Sequence, residues 1–442
     1  MRTFLSGLIL AACMVGTLFA TSNAEVTFHK EVMPILQKHC QGCHRPGEVA
    51  PMSFLSYEQV RPWAKAIRTV VLKKKMPPWG ADPLYGKFSN DRSLSETELN
   101  TLVSWVDAGA PEGNPSDAPK PLQFEEGWNI GKPDAIVEMP KAFRVPANGL
   151  VQYQYIVFPS GFTEDKWVER VEIRPGNPAV VHHVNAFATP PDAPGFKVAK
   201  KGEFMEIPPQ KGKDPDMFTF AKESETLHGH APGGNPTVFK PGQARLVKAG
   251  SDILFQLHYQ SNGQEAYDQT RIGFVFAKQP PTEKITSVTV QNFDFSIPPM
   301  ADDYPIKAEA LLNIDVKVVS ILPHMHLRGK RIQVRAYYPD GDSETLVSVP
   351  KYDFSWQFTY VLETPKLLPK GTRLETIGYY DNTPNNPSNP DPKALVVYGE
   401  QTWNEMMGGV MDFAIDPKLD SPTIFVRVPR EKSKEVSQLE TR

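Results

Sequence analysis

At 442 residues the chain exceeds what one hydrophobic core usually serves, which sets an expectation of two or three domains. A net charge of -3, from 48 basic and 51 acidic residues without a block of like charges, leaves no electrostatic case for nucleic acid or an anionic membrane surface. Its 43 prolines suit short strands and turns better than long helices.

The first 24 residues read as an export signal: Arg2, an apolar stretch, then Ser22-Asn23-Ala24 as a small-x-small cleavage site. The mature chain is expected to start near Glu25 and to be periplasmic, with no membrane span after cleavage. Leu10-Ala11-Ala12-Cys13 also fits a lipoprotein box. Cleavage at Glu25 leaves Cys40 and Cys43 as the only cysteines, so no disulfide framework is expected within the later domains.

Those two cysteines stand in "LQKHCQGCHRPG" as C-x-x-C followed by His44. This is the attachment signature of haem c, in which both thiols form thioethers and the imidazole becomes an axial ligand. A redox dithiol or half of a zinc site are the competing readings; the first wants a βαβ surrounding and the second another Cys or His pair nearby. The segment after it reads as an amphipathic helix carrying Trp63, Ile67, Val70 and Val71 on its apolar side, ended by Pro77-Pro78 behind Met76. Met76 is therefore the leading candidate for the sixth iron ligand, ahead of Met33 and Met52, while His39 lies too close to the attachment site. Ser95 and Glu98 form a capping box, Leu94 and Leu99 a hydrophobic staple, and Leu99, Leu102, Val103 and Val106 an apolar stripe stopped by Gly109 and Pro111. Residues 25–112 are thus expected to be a small all-α cytochrome c domain, with 113–127 as a linker.

From Trp128 onward, alternating runs such as "VQYQYIVF", "DILFQLHYQ" and "SVTVQNFDFSI" separated by Pro, Gly and Asn predict antiparallel β-sandwiches. Two all-β domains are expected, 128–278 and 279–430, with the seam in "FAKQPPTEKI" and a polar tail at 431–442. Seven of the ten histidines lie in this half. His324 and His326, at i and i+2, share a strand face and can reach one metal. His258 shares a face with Leu254 and Gln256. His182 and His183 would point to opposite faces of a regular strand, so joint ligation needs a bulge or a turn. His228 and His230 lie among Gly and Pro and read as a surface loop. Imidazole suits zinc, copper, iron and nickel alike; a methionine from Met406, Met407 or Met411 would favour copper, because a thioether is soft. Core filling is the competing role for these methionines.

Taken together, "VHHVNAF", "FQLHY", "HMHLRG" and "EQTWNEMMGG" resemble, in order and surroundings, the copper type II, ascorbate-dependent monooxygenases, the family of peptidylglycine α-hydroxylating and dopamine β-monooxygenases. The likeness spans roughly residues 128–430, with the cytochrome domain as an addition in front. It implies two jelly-roll-like sandwiches, each holding one copper across a solvent-filled cleft. His182, His183 and His258 would bind the electron-donating copper, and His324, His326 and Met406 the copper that activates dioxygen, with His228 and His230 outside that pattern. The implied activity is hydroxylation of a C–H bond of a small organic substrate with O₂, the electrons coming through the haem at Cys40, Cys43, His44 and Met76, or from ascorbate or a periplasmic donor. Leu322, Gly408 and Val410 stand where the animal peptide hydroxylase holds its substrate carboxylate, so the resemblance does not extend to a peptidylglycine substrate. A copper- and haem-binding electron carrier or redox sensor without oxygenase activity is the alternative, and a zinc hydrolase on the three-histidine site a third, lacking an evident general base.

Overall fold

The computed structural model describes residues 25–48, 50–124, 127–191, 193, 200–206, 224–419 and 424–427. The expected signal segment with Cys13 and the polar tail 431–442 lie outside these. The chain is mostly β-sandwich, with a small helical domain in front.

Four α-helices make the helical domain: α1 (Met33–His39), α2 (Tyr57–Val60), α3 (Ala64–Leu72) and α4 (Glu96–Asp107). The Ser95–Glu98 capping box opens α4. Leu102 and Trp105 are fully buried in the core, with Leu99, Val103 and Val106 packed against it, and the Trp105 ring lies 5.9 Å from Phe28. The apolar stripe read from the sequence omitted Trp105, whose indole N–H donates to the Pro111 carbonyl at 3.0 Å, so burial leaves no donor unpaired. The helix expected to run to Met76 is shorter and broken. Pro62 sits in a 3₁₀ turn, Arg61–Trp63, between α2 and α3. The chain leaves the helix after Leu72, with Lys74 at φ +52°, and Trp63 is exposed rather than buried. The linker lies on the helical domain: the Arg45 guanidinium covers the Phe124 ring at 3.9 Å, and Gln37 donates to the Lys120 carbonyl.

Residues 79–90 turn away from the helices, before Arg92 returns its carbonyl to His39. They strap onto the C-terminal sandwich: Ala81 joins its core, Trp79 meets Tyr360 edge-on at 4.9 Å, and Phe88 bridges Leu362 antiparallel. Asp82 N–H donates to the Ser348 carbonyl and Ser89 N–H to the Val361 carbonyl, both at 2.8 Å. The helical domain is therefore held by this strap and by the linker together.

The first sandwich faces a five-stranded sheet, containing Gln154–Pro159, Asp252–Tyr259, Val181–Thr189 and Glu225–His230, against part of a nine-stranded sheet. The second faces the rest of that nine-stranded sheet, containing Val316–Met325 and Met407–Ile415, against another five-stranded sheet. The chain passes between them from Phe276 to Glu283, within the expected seam, and the next strand pairs parallel with Gln243–Val247. One sheet thus runs through both sandwiches. Arg245, 2% exposed, pins the junction: its guanidinium donates to Asp412 at 2.8 Å and to the Ser287 hydroxyl at 3.0 Å, with Glu225 at 3.8 Å. Paired this way, the charge keeps partners it would otherwise lose on leaving water. Among the described residues no helix is long and apolar enough to cross a membrane.

Candidate metal centres

His182, His183 and His258 come together with ligand nitrogens within 4.8 Å of one another. The strand pairing explains how adjacent histidines converge. His183 is opposite His258 and Val181 is opposite Tyr259, leaving His182 as the extra residue of a bulge. The bulge turns the His182 ring to the same side, so the His182 and His183 Nδ1 atoms lie 3.1 Å apart. The Nδ1 of His258 is buried with no hydrogen-bond partner. An orphaned nitrogen among three imidazoles fits a bound cation better than a purely structural cluster. Burial pushes the His258 imidazole down to about 3 and lowers His182 and His183, which favours the neutral form a metal needs. Tyr153 walls the cluster, its ring 4.8 Å from His258 and 5.4 Å from His183.

The second group sits where Val316–Met325 leaves its sheet. His324 faces outward on the strand, and His326 follows just past its end, with ring centroids 5.1 Å apart. Each Nδ1 donates to an oxygen: His324 to Gln357 Oε1 at 2.6 Å, and His326 to the Asn404 carbonyl at 3.3 Å. The His324 Nε2 is left for a ligand, and the rings are held by outer partners in the manner of metal-binding histidines. Glu405 fixes the backbone beneath them, its carboxylate accepting from the N–H of His326 at 2.9 Å and of Arg328 at 2.6 Å. Met406 is half-buried immediately before the strand Met407–Ile415, whose Met407 is opposite Met325. Met407 and Met411 are fully buried in the sandwich core and act as filler, which separates them from Met406.

The two groups are close. The Phe354 ring stacks on His182 at 5.5 Å and meets His326 edge-on at 5.8 Å. His324 and His326 lie near enough to add to the lowering of His183. A solvent-filled cleft was expected between the centres; here a single aromatic ring lies against both.

His228 and His230 are not in a surface loop. They belong to the strand Glu225–His230, where His228 is buried and bonded through Nδ1 to the Thr237 hydroxyl at 2.8 Å. The loop comes after them, at Ala231–Asn235.

In the helical domain, Cys40 and Cys43 are free thiols on the turn after α1, and burial raises both, Cys40 to about 12. His44 stacks on Phe54 at 4.2 Å and donates from Nδ1 to the Met52 carbonyl at 3.3 Å, leaving Nε2 free. That donor set fits haem c. His39 is engaged on both nitrogens, by the Arg92 carbonyl and Glu98, and Met33 Sδ takes a contact from Gln41. Met76 is half-buried in the turn after α3, outside the apolar cluster that contains Met33, Met52 and Cys40. A Cβ on Gly233 would lie 3.7 Å from Cys43 Sγ and 3.6 Å from Trp356, so the C-x-x-C-H turn abuts both sandwiches. Sequence reasoning missed Phe354, Gln357, Trp356 and the Glu405 carboxylate; the aromatic-rich run "FSWQF" was the available signal.

No family model matches the chain, and no curated protein matches it. Among solved structures, it is similar to the VP2 subviral particle of infectious bursal disease virus at 8% identity, over 67% of this chain and 77% of that one, with a TM-score of 0.19. It is similar to the major capsid protein P2 of bacteriophage PM2 at 10% identity, over 63% and 96%, with a TM-score of 0.23. Scores this low carry no argument about fold or activity.

Proposed function

We propose that the protein is a copper-dependent monooxygenase that hydroxylates a C–H bond of a small organic substrate and draws its electrons through a fused haem c domain. On this reading the sandwiches are jelly-roll-like copper domains of the type II, ascorbate-dependent family, and the helical domain is a c-type cytochrome. The observation that carries the reading is the convergence of His182, His183 and His258 with His324 and His326 around Phe354, one group from each sandwich. The net reaction takes substrate, O₂, two electrons and two protons to alcohol and water.

Copper would supply one-electron redox chemistry and a place for dioxygen, and haem a store of external electrons. Three imidazoles would hold the first ion; His324 and His326 with the soft Met406 sulfur would hold the second and favour its reduced form. Gln357, Asn404 and Glu405 keep the second pair oriented. Leu322 and Val410, opposite one another and on the His324 face, offer an apolar wall, and a Cβ on Gly408 would come within 3.3 Å of Thr289. This setting suits an apolar substrate rather than a carboxylate.

The loss of polar groups at Leu322, Gly408 and Val410 also favours the second reading, a periplasmic copper- and haem-binding electron carrier or sensor. Oxygen uptake by the reduced holoprotein separates the two. Uptake that rises with an added apolar substrate and yields stoichiometric alcohol supports the monooxygenase; haem and copper that cycle with no substrate-dependent uptake across a broad screen would leave the carrier.

A further inference from the structure

One short loop touches both histidine groups and faces the C-x-x-C-H turn across Gly233. Between Tyr352 and the strand Tyr360–Leu368 the chain turns at Asp353, whose side chain accepts from Ser355 N–H at 2.9 Å and whose carbonyl accepts from Trp356 N–H at 2.9 Å. This turn sends Phe354 onto His182 and His326. Gln357 reaches His324. Trp356 points the other way: the Gly233 position contacts both its ring and Cys43 Sγ. Trp356 stacks on Phe358 at 6.1 Å and 15°, and Arg92 covers Phe358 at 4.8 Å while donating to the Gly233 carbonyl at 2.7 Å. The same arginine gives its backbone carbonyl to His39, next to the cysteines. Strap, loop and thiol turn are therefore locked together at one place.

Electron tunnelling weakens steeply with distance and more so across gaps than through bonded, packed atoms. The loop supplies a bonded path from Trp356 to Phe354, three residues long, with an aromatic ring at each end. We propose that Asp353–Phe358 is the electron conduit between the helical domain and the histidine centres, with Trp356 as the receiving contact and Phe354 as the delivering one. The step is a one-electron transfer: ferrous haem is oxidised to ferric as a cupric ion is reduced to cuprous, with no proton or bond transferred. This rests on the haem and copper reading above.

The test is flash reduction of the haem in the anaerobic holoprotein with both coppers oxidised and no substrate. Haem reoxidation is followed by absorbance and cupric loss by electron paramagnetic resonance. Trp356→Leu, with haem and copper contents equal to wild type, is expected to slow transfer by roughly tenfold or more, about 1.4 kcal/mol on the barrier, while Trp356→Phe keeps most of the rate. Phe354→Leu is the second variant should Trp356→Leu not fold, and the same slowing is expected. Wild-type transfer that neither variant slows would overturn the conduit and leave the haem-fed reading standing. A fully loaded wild type whose reduced haem never reduces copper would overturn both.

Discussion

The two histidine groups are built by opposite means. His182, His183 and His258 are brought together by a bulge between paired strands, so backbone hydrogen bonding sets their separation, and the His258 Nδ1 has no hydrogen-bond partner. His324 and His326 sit at the open end of a strand and are aimed by Gln357, the Asn404 carbonyl and the Glu405 carboxylate, all from other parts of the sandwich. The first arrangement is closed, suited to holding an ion through changes of charge. The second depends on three outer partners for its orientation. On the proposed reading, the group that would host the chemistry takes its orientation from partners distant in sequence, and the group that would store an electron takes it from strand pairing.

The sharpest way to break this comparison is His258→Ala, which removes one of three ligands from a site with no substitute. One bound copper is expected to be lost while the second remains, read by metal analysis and the cupric spectrum; loss of both would mean the centres are not independent. Next in size is the junction that sets the distance between them. Arg245→Met leaves the half-buried Asp412 without its cation, though still with the Ser287 and Ser320 hydroxyls, and is expected to cost about 2–3 kcal/mol in chemical denaturation. A smaller effect is expected from Gln357→Leu, which frees the His324 ring: roughly 10- to 100-fold weaker copper at the second site only, with the first untouched. Equal weakening at both would erase the distinction drawn here.

The smallest effect concerns pH at the same junction. Burial, with Asp412 adding to it and Arg245 opposing, raises the Glu225 carboxyl to about 7. The folded state then binds more protons than the unfolded chain between the ordinary carboxylate value and about 7. Stability from this group is full below that window and declines as pH rises through it. Glu225→Gln should flatten the decline in melting temperature against pH; an unchanged profile would remove Glu225 as its source.

Much of the candidate site is legible in the sequence because its chemistry is local. The C-x-x-C-H run, the adjacent His182-His183 pair with its need for a bulge, and the i, i+2 pair of His324 and His326 each follow from spacing alone. What was not legible depends on pairings across hundreds of residues. Trp79 and Phe88 lie in the N-terminal part by sequence, yet they pack on Tyr360, because an exposed edge strand gives them backbone partners and an apolar surface. His228 and His230 looked like loop residues because Gly and Pro follow them, but pairing with Val181–Thr189 carries the strand through His230. Phe354 opens the aromatic-rich run "FSWQF", but only the closing of the two sandwiches gives it a place between His182 and His326.

The central claim is tested most directly by counting metal and haem in the purified wild-type protein. The account predicts two coppers for each covalently attached haem. Zinc in place of copper, or a single metal ion per haem, would contradict it.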